Sequence, residues 1–457
     1  MERCQGSTHA DGSWVPRAAP PYEIMPAAFY ARFQDASHSL PRSFHGAAAG
    51  LTCDDRSFTR RKEPRKHYEW RPRACALDAW DRTRACALLE ERDVRQVVVV
   101  GDSISEQIYV SLVMLLQGLD GFGPPVNGST RVVAAKGAEL HSKAAVACDG
   151  RVRLSYARND LLLWSSSGAE TNLVRWCAGN TILEPWAVRA VHDADLLVLG
   201  AGIHAVSSLE SINSSAAAAF PAHNLRHTLR RLVAERAKRG AAPESVVVLG
   251  APLPTPGCES IGAPLTLSGA ALHAGRLKAH PFAAQWRQLQ HFNQAAQWVA
   301  QDAGVVWIDV AALSRTRPDA AVAAHGLGTP ASRGRVSSVG DCVHTCQPGP
   351  IDEYVRLLFH EVRSRTALRV SVTPKTRRFF SVSEAEWLRH RPLERHGGVG
   401  LPPELQPAKM GYLCASAAPW FPYLECRGRS APQQANFCLG MLDAETKRSL
   451  MEMGTPA

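Results

Sequence analysis

The sequence has no apolar run long enough to cross a bilayer as a helix. Its first 30 residues hold no continuous hydrophobic stretch of the kind that forms the core of a secretory leader. No Cys-x-x-Cys motif with a matching second pair is present, which argues against a zinc ribbon. The phosphate-cradling glycine loops of P-loop and dinucleotide-binding proteins are missing, so ATP and NAD chemistry has little support. Zinc-finger, helix-turn-helix and RNA-binding signatures are also missing, which leaves the formal net charge of +10 as weak evidence for nucleic acid. No nucleic-acid partner is expected. The clearest basic cluster, Arg60 to His67, reads first as a solvated loop and second as a surface for an acidic glycan, and a smaller one lies at Lys375, Arg377 and Arg378. No fixed-period repeat is visible.

What is present describes a folded protein. The 457 residues are 45% hydrophobic and 21% charged, ordinary values for a globular chain and far from those of a disordered one. Twelve cysteines are many for a reducing compartment, and an even number spread along the chain suits disulfides. Two sequons, at Asn127 and Asn213, point the same way. The secretory pathway is therefore expected, with membrane attachment only through a targeting segment that this sequence does not include.

The chain divides into three stretches. Residues 1–94 scatter Gly, Pro and Trp among polar residues, carry Cys4, Cys53, Cys75 and Cys86, and read as a loop-rich, disulfide-tied region without a large core of its own. From 95 to 366 strands alternate with helices. The strands are Val97–Val100, Asp195 to Gly200, Ser245 to Gly250 and Gly304 to Asp309, and the helical stripes fall at Leu225, Leu229, Leu232 and Val233, between Phe282 and Val299, and from about Ile351. That alternation predicts an α/β fold with a doubly wound, mostly parallel sheet flanked by helices. Residues 367–457, with Cys414, Cys426 and Cys438, show no such alternation and form an extension whose role the sequence leaves open.

Chemistry enters where VVVV runs into Gly101-Asp102-Ser103. Four β-branched residues without polar alternation predict a strand buried on both faces. Ile108, Leu112, Leu115 and Leu116 then repeat at helical spacing. Ser103 thus falls at the carboxyl edge of a sheet and the amino end of a helix, where unpaired N–H groups receive an anion. It reads either as a nucleophile or as a simple helix cap.

A base for Ser103 is offered by the stretch from Gly340 to Tyr354. Asp341 and His344 are three residues apart, so a helical turn there would put both side chains on one side and let the carboxylate orient the imidazole. Two rivals exist: Cys342, His344 and Cys346 as part of a zinc site, or Asp341 as a turn cap beside an ordinary histidine. Paired with Gly-Asp-Ser on the same sheet edge, the catalytic reading is preferred.

Four blocks resemble the PC-esterase branch of the GDSL/SGNH hydrolases, and more narrowly the trichome birefringence-like proteins. They are Cys4 with Gly12-Ser-Trp14-Val15, the run from Tyr68 to Cys75, Val100-Gly-Asp-Ser103, and the run from Asp341 to Asp352. The resemblance implies an O-acetyltransferase of the Golgi lumen acting on a polysaccharide, with no bound cofactor and an acetyl donor such as acetyl-CoA as cosubstrate. It implies Ser103 as nucleophile, His344 as base and then acid, Asp341 as its orienting partner, and Asp102 as organiser of the turn. Cys75, Cys342 and Cys346 would be structural disulfide partners, with Cys258 a mate for one of the closing pair. Two departures stand out. Ser105-Glu106-Gln107 replaces the usual Arg-Asn-Gln, and Gly200-Ala-Gly202-Ile-His204 replaces a block that normally supplies an asparagine to the oxyanion hole. Backbone N–H groups of Ser103 and of Gly200 or Gly202 would serve there instead, and His204 is a candidate for substrate binding. Three functions follow: an acetyltransferase, a carbohydrate esterase using the same residues with water as acceptor, or a non-catalytic glycan-binding protein.

Overall fold

A computed structural model describes residues 3–4, 6–22, 66–118, 143–162, 164, 186–200, 202–203, 214–255, 257–276, 283–322 and 342–365. Asn127, Asn213, Cys53, Cys177, most of the basic cluster at Arg60–His67 and every residue after Arg365 lie outside these stretches. In chain order the elements are β1 (Gly12–Arg17), β2 (His67–Pro72), α1 (Arg82–Glu91), β3 (Gln96–Gly101), α2 (Ser103–Gln117), β4 (Lys143–Ala147), β5 (Val152–Arg158), α3 (Ala187–His192) and β6 (Leu196–Gly200). There follow α4 (Ser214–Ala237), β7 (Val246–Leu249), α5 (Leu267–Arg276), α6 (Ala283–Asp302), β8 (Val306–Ile308), α7 (Ala311–Arg315) and α8 (Pro350–Ser364).

Six strands form one sheet in the order β4-β5-β3-β6-β7-β8, with β4 antiparallel to β5 and every other neighbour parallel. The four valines of β3 explain themselves here. Val97 and Val99 join an apolar cluster with Leu112 and Leu116 of α2 and Val355, Leu358 and Val362 of α8. Val98 and Val100 join a second cluster with Leu225, Leu229 and Leu232 of α4 and Phe292 and Ala296 of α6. A strand covered on both faces has no use for polar alternation. The fold is α/β with helices on both sides of a mostly parallel sheet.

From β3 the chain goes to the edge strand β4 and back through β5 on one side, then outward through β6, β7 and β8 on the other, so the topological switch point lies between β3 and β6. In open α/β sheets, ligands bind outside the carboxyl ends of the strands at such a point.

Residues 1–94, read from sequence as irregular, contain the antiparallel pair β1–β2 and the helix α1. The signal was hidden because the two strands are not joined by a short turn; residues 18–66 intervene. Their anchors are aromatic. Trp14 and Trp70 meet edge to face at 5.3 Å, the Trp14 indole donates to Thr316 Oγ1 at 2.9 Å, and the Trp70 indole donates to the His9 carbonyl at 2.7 Å. The Arg317 guanidinium lies over Trp14 and Tyr68, 4.6 and 4.8 Å from the ring centres, and Asp319 holds it at 2.9 Å. Cys4 is bridged to Cys75, and both belong to the same apolar cluster as α2 and α8. A second bridge, Cys86–Cys148, ties α1 to the β4–β5 hairpin. That hairpin was also missed: Arg153, Ser155 and Arg158 interrupt its apolar pattern, although Arg158 is buried against Asp160 at 2.8 Å.

Arg356 of α8 fastens this layer to the sheet. Its guanidinium donates to the carbonyls of Asp78 at 2.8 Å, Leu77 at 3.0 Å and Trp70 at 3.2 Å, and to the Glu353 carboxylate at 3.1 Å. Arg356→Ala should lower stability by about 2–4 kcal/mol, because three carbonyls lose their donor and Glu353 its partner; a urea melt reads it. Burial raises the Glu353 carboxyl above its usual range, against the lowering pull of Arg356. Its folded-state pKa lies above the unfolded one, so its contribution to stability is full below the unfolded value and is lost as pH rises through the folded value. Wild type should therefore lose Tm across that window relative to Glu353→Gln; parallel pH profiles for the two proteins would contradict this.

Candidate active site

The turn after β3 is capped by Asp102. Its Oδ1 accepts the N–H of Ile104 at 3.1 Å and of Ser105 at 3.4 Å. The capping duty that the sequence left open for Ser103 thus falls on its neighbour. Ser103 is the first helical residue of α2, 5% exposed, and its Oγ stands 2.7 Å from Nε2 of His344.

His344 does not sit on a helical turn. Residues 342–349 form bends, with an antiparallel bridge between Thr345 and Ala321. The Val322 N–H donates to the His344 carbonyl at 3.0 Å and the Cys346 N–H to the Ala320 carbonyl at 2.8 Å. Cys342 is bridged to Cys258. Cys346 is bridged as well, to a partner outside the described residues. With both closing-block sulfurs in disulfides, neither is a thiolate, and the zinc reading of Cys342, His344 and Cys346 is dropped. The grouping of Cys258, Glu259 and Cys342 fails as a metal site for the same reason. Asp341 and His204 lie outside the described residues.

Gly200 ends β6 beside Gly101, its register partner at the end of β3. The approach is closer than any side chain allows. A Cβ on Gly101 would stand 1.8 Å from the Gly200 carbonyl oxygen, and the residue has φ +152°. That carbonyl accepts Ser105 Oγ at 2.9 Å and the Asp102 N–H at 3.4 Å. Gly202, at φ +137°, would drive a Cβ to 2.6 Å from the Cβ of Ala251. Gly200 at the end of β6 and Gly202 just after it thus lie across the switch point from Ser103, in places where backbone must pass close to backbone or to packed side chains.

Three residues of this site escaped the sequence. Ser105 appeared there only as a departure; its hydroxyl pins the first turn of α2 to the end of β6. Tyr156, on β5, donates to the carbonyls of Gly101 at 3.2 Å and Asp102 at 3.0 Å. Its burial pushes the phenol far up, so it remains a donor throughout the working range. Gln107 binds the histidine loop: its Nε2 donates to the Thr345 carbonyl at 2.7 Å, its Oε1 accepts the Thr345 N–H at 3.4 Å, and its own carbonyl accepts Gln347 Nε2 at 2.7 Å. The signal for Ser105 and Gln107 was their place in the first turns of the helix that starts at Ser103; Tyr156 left none.

A Cβ on Gly200 would meet Ser105 Oγ at 2.5 Å while Ser105 Cβ lies at an ordinary 3.8 Å. Gly200→Ala should therefore cost about 1–3 kcal/mol, and adding Ser105→Ala should recover most of that loss in a denaturant-melt double-mutant cycle. The same partner should not rescue Gly101→Ala, whose added Cβ meets Ser105 Oγ at 2.2 Å but also the Gly200 carbonyl oxygen at 1.8 Å, a backbone clash that remains when the hydroxyl is gone.

No curated protein matches the chain. Residues 272–361, which carry Asp341 and His344 but not Ser103, match a family model described as PC-esterase, the GDSL/SGNH-like acyl-esterase family found in Pmr5 and Cas1p. The likeness covers that stretch alone, and the family it points to is described by acyl-ester chemistry.

Proposed function

We propose that the protein is an O-acetyltransferase that moves an acetyl group to a polysaccharide hydroxyl by way of an acetyl ester on Ser103. The observation that carries the reading is the 2.7 Å contact between Ser103 Oγ and His344 Nε2 at the switch point of the sheet. In this scheme Nε2 takes the hydroxyl proton as Oγ attacks the donor carbonyl. Asp341 orients the imidazole through the other ring nitrogen. The amino end of α2 supports the oxyanion: Asp102 occupies the N–H groups of Ile104 and Ser105, which leaves that of Ser103 for the developing charge, with Gly200 or Gly202 as second donor. The imidazolium protonates the leaving group. It then takes the proton of the sugar hydroxyl that attacks the acetyl ester, and Ser103 is regenerated.

The finer likeness to trichome birefringence-like proteins supports transfer to a cell-wall type polysaccharide, acetyl-CoA as donor and a place in the Golgi lumen; His204, in a block that departs from that pattern, is the candidate for binding the substrate. Three disulfides among the described residues suit an oxidising compartment. No described helix is long and apolar enough to cross a membrane. A second reading, carbohydrate O-acetyl esterase, is favoured by the family description, which names acyl esterases. It uses the same residues with water in place of the sugar.

Intact-protein mass spectrometry after incubation with an activated acetyl ester separates these readings. Wild type should gain one acetyl group, Ser103→Ala none, and His344→Ala should gain it orders of magnitude more slowly, all three with similar Tm. Discharge onto xylan or another glycan faster than onto water supports transfer, discharge to water alone supports the esterase, and an unchanged rate in Ser103→Ala removes the nucleophile assignment.

A further inference from the structure

Gln107 lies four residues after Ser103 on α2, so the two side chains leave the helix on the same side, one turn apart. One reaches the ring of His344 and the other the peptide group of Thr345, the next residue along. The remaining ties of the histidine loop lead away from α2. The Cys258–Cys342 bridge runs to the segment after β7, and the pairing of His344 and Cys346 with Ala320 and Val322 runs to the segment after α7. The hydrogen bonds that join the loop to α2 beyond the serine–histidine pair itself converge on Gln107, through its side chain to Thr345 and its carbonyl to Gln347.

We infer that Gln107 is a positioning residue that sets the separation and angle of His344 relative to Ser103. The inference rests on the reading of Ser103 as nucleophile and holds for either acceptor, sugar or water. A primary amide is the side chain that presents a donor and an acceptor together to a peptide C=O and N–H. At 3% exposure Gln107 makes these bonds without competition from water. Ionised glutamate would face the Thr345 carbonyl with an acceptor, and methionine would fill the space with neither group. In both cases the loop keeps its disulfide and its β-bridge but loses its register against the nucleophile.

The experiment measures kcat and KM for hydrolysis of p-nitrophenyl acetate by wild type, Gln107→Met, Gln107→Glu and Ser103→Ala, with Tm for each. A misplacement of about 1 Å costs about 10²-fold in rate, so kcat should fall by that order in both Gln107 variants with KM nearly unchanged and a cooperative melt retained. A merely structural role would lower Tm without that split. Should Gln107→Met fail to melt cooperatively, the isosteric Gln107→Glu carries the comparison. An inactive Ser103→Ala beside Gln107 variants with wild-type kcat, or with a raised KM alone, overturns the inference and spares the nucleophile. Full turnover in Ser103→Ala overturns both.

Discussion

The site depends on two strands ending with no side chain between them. Gly101 and Gly200 close so tightly that the carbonyl of one occupies the space where the other would carry a Cβ. Because Gly200 presents that carbonyl, Ser105 and Asp102 both have an acceptor on the neighbouring strand. The first turn of α2 is thereby drawn down onto the sheet edge. Ser103, between two pinned residues, has its position fixed by the fold itself. Tyr156 adds a donor from the other side of β3 to carbonyls that already accept the N–H groups of Asn159 and Glu106, so the strand end is held by side chain and backbone together.

The partner half of the site is built on different physics. His344 comes from a segment without regular structure, 241 residues along the chain from Ser103, and such a segment has no ladder of its own to hold a ring in place. A disulfide, a short β-bridge and the Gln107 amide replace the ladder. Ser103 is thus placed by secondary structure, and the imidazole by cross-links. Errors in the two halves are independent, which makes the contacts between them more consequential than those within either.

Legibility in the sequence followed burial. Strands β3, β6, β7 and β8 were readable because both faces are covered and their apolar runs are unbroken. The β4–β5 pair was not, since β5 spends arginines and a serine on contacts that only the tertiary structure explains, and β1–β2 was not, since its strands are far apart in the chain. Ser103 and His344 were visible through motif spacing, although the local geometry expected for the histidine, a helical turn, was wrong. Ser105 and Gln107 stood in the quoted motif but were weighed only as likeness or departure. Their roles are contacts to Gly200 and Thr345, and nothing local in the sequence encodes a partner so distant.

The fastening of α8 bears on the order of events on the ribosome. His360 hydrogen-bonds the Cys4 carbonyl across 356 positions of sequence, and Arg356 reaches the carbonyls of Trp70, Leu77 and Asp78 across 286, 279 and 278. Cys4 and Cys75 can be joined once both have emerged, but the indole of Trp14 waits for Thr316 and Arg317, and the carbonyl of Trp70 for Arg356. Contacts of such separation form slowly and leave apolar surface uncovered meanwhile. The first-made aromatic layer is therefore completed only when nearly all of the described fold has been synthesised.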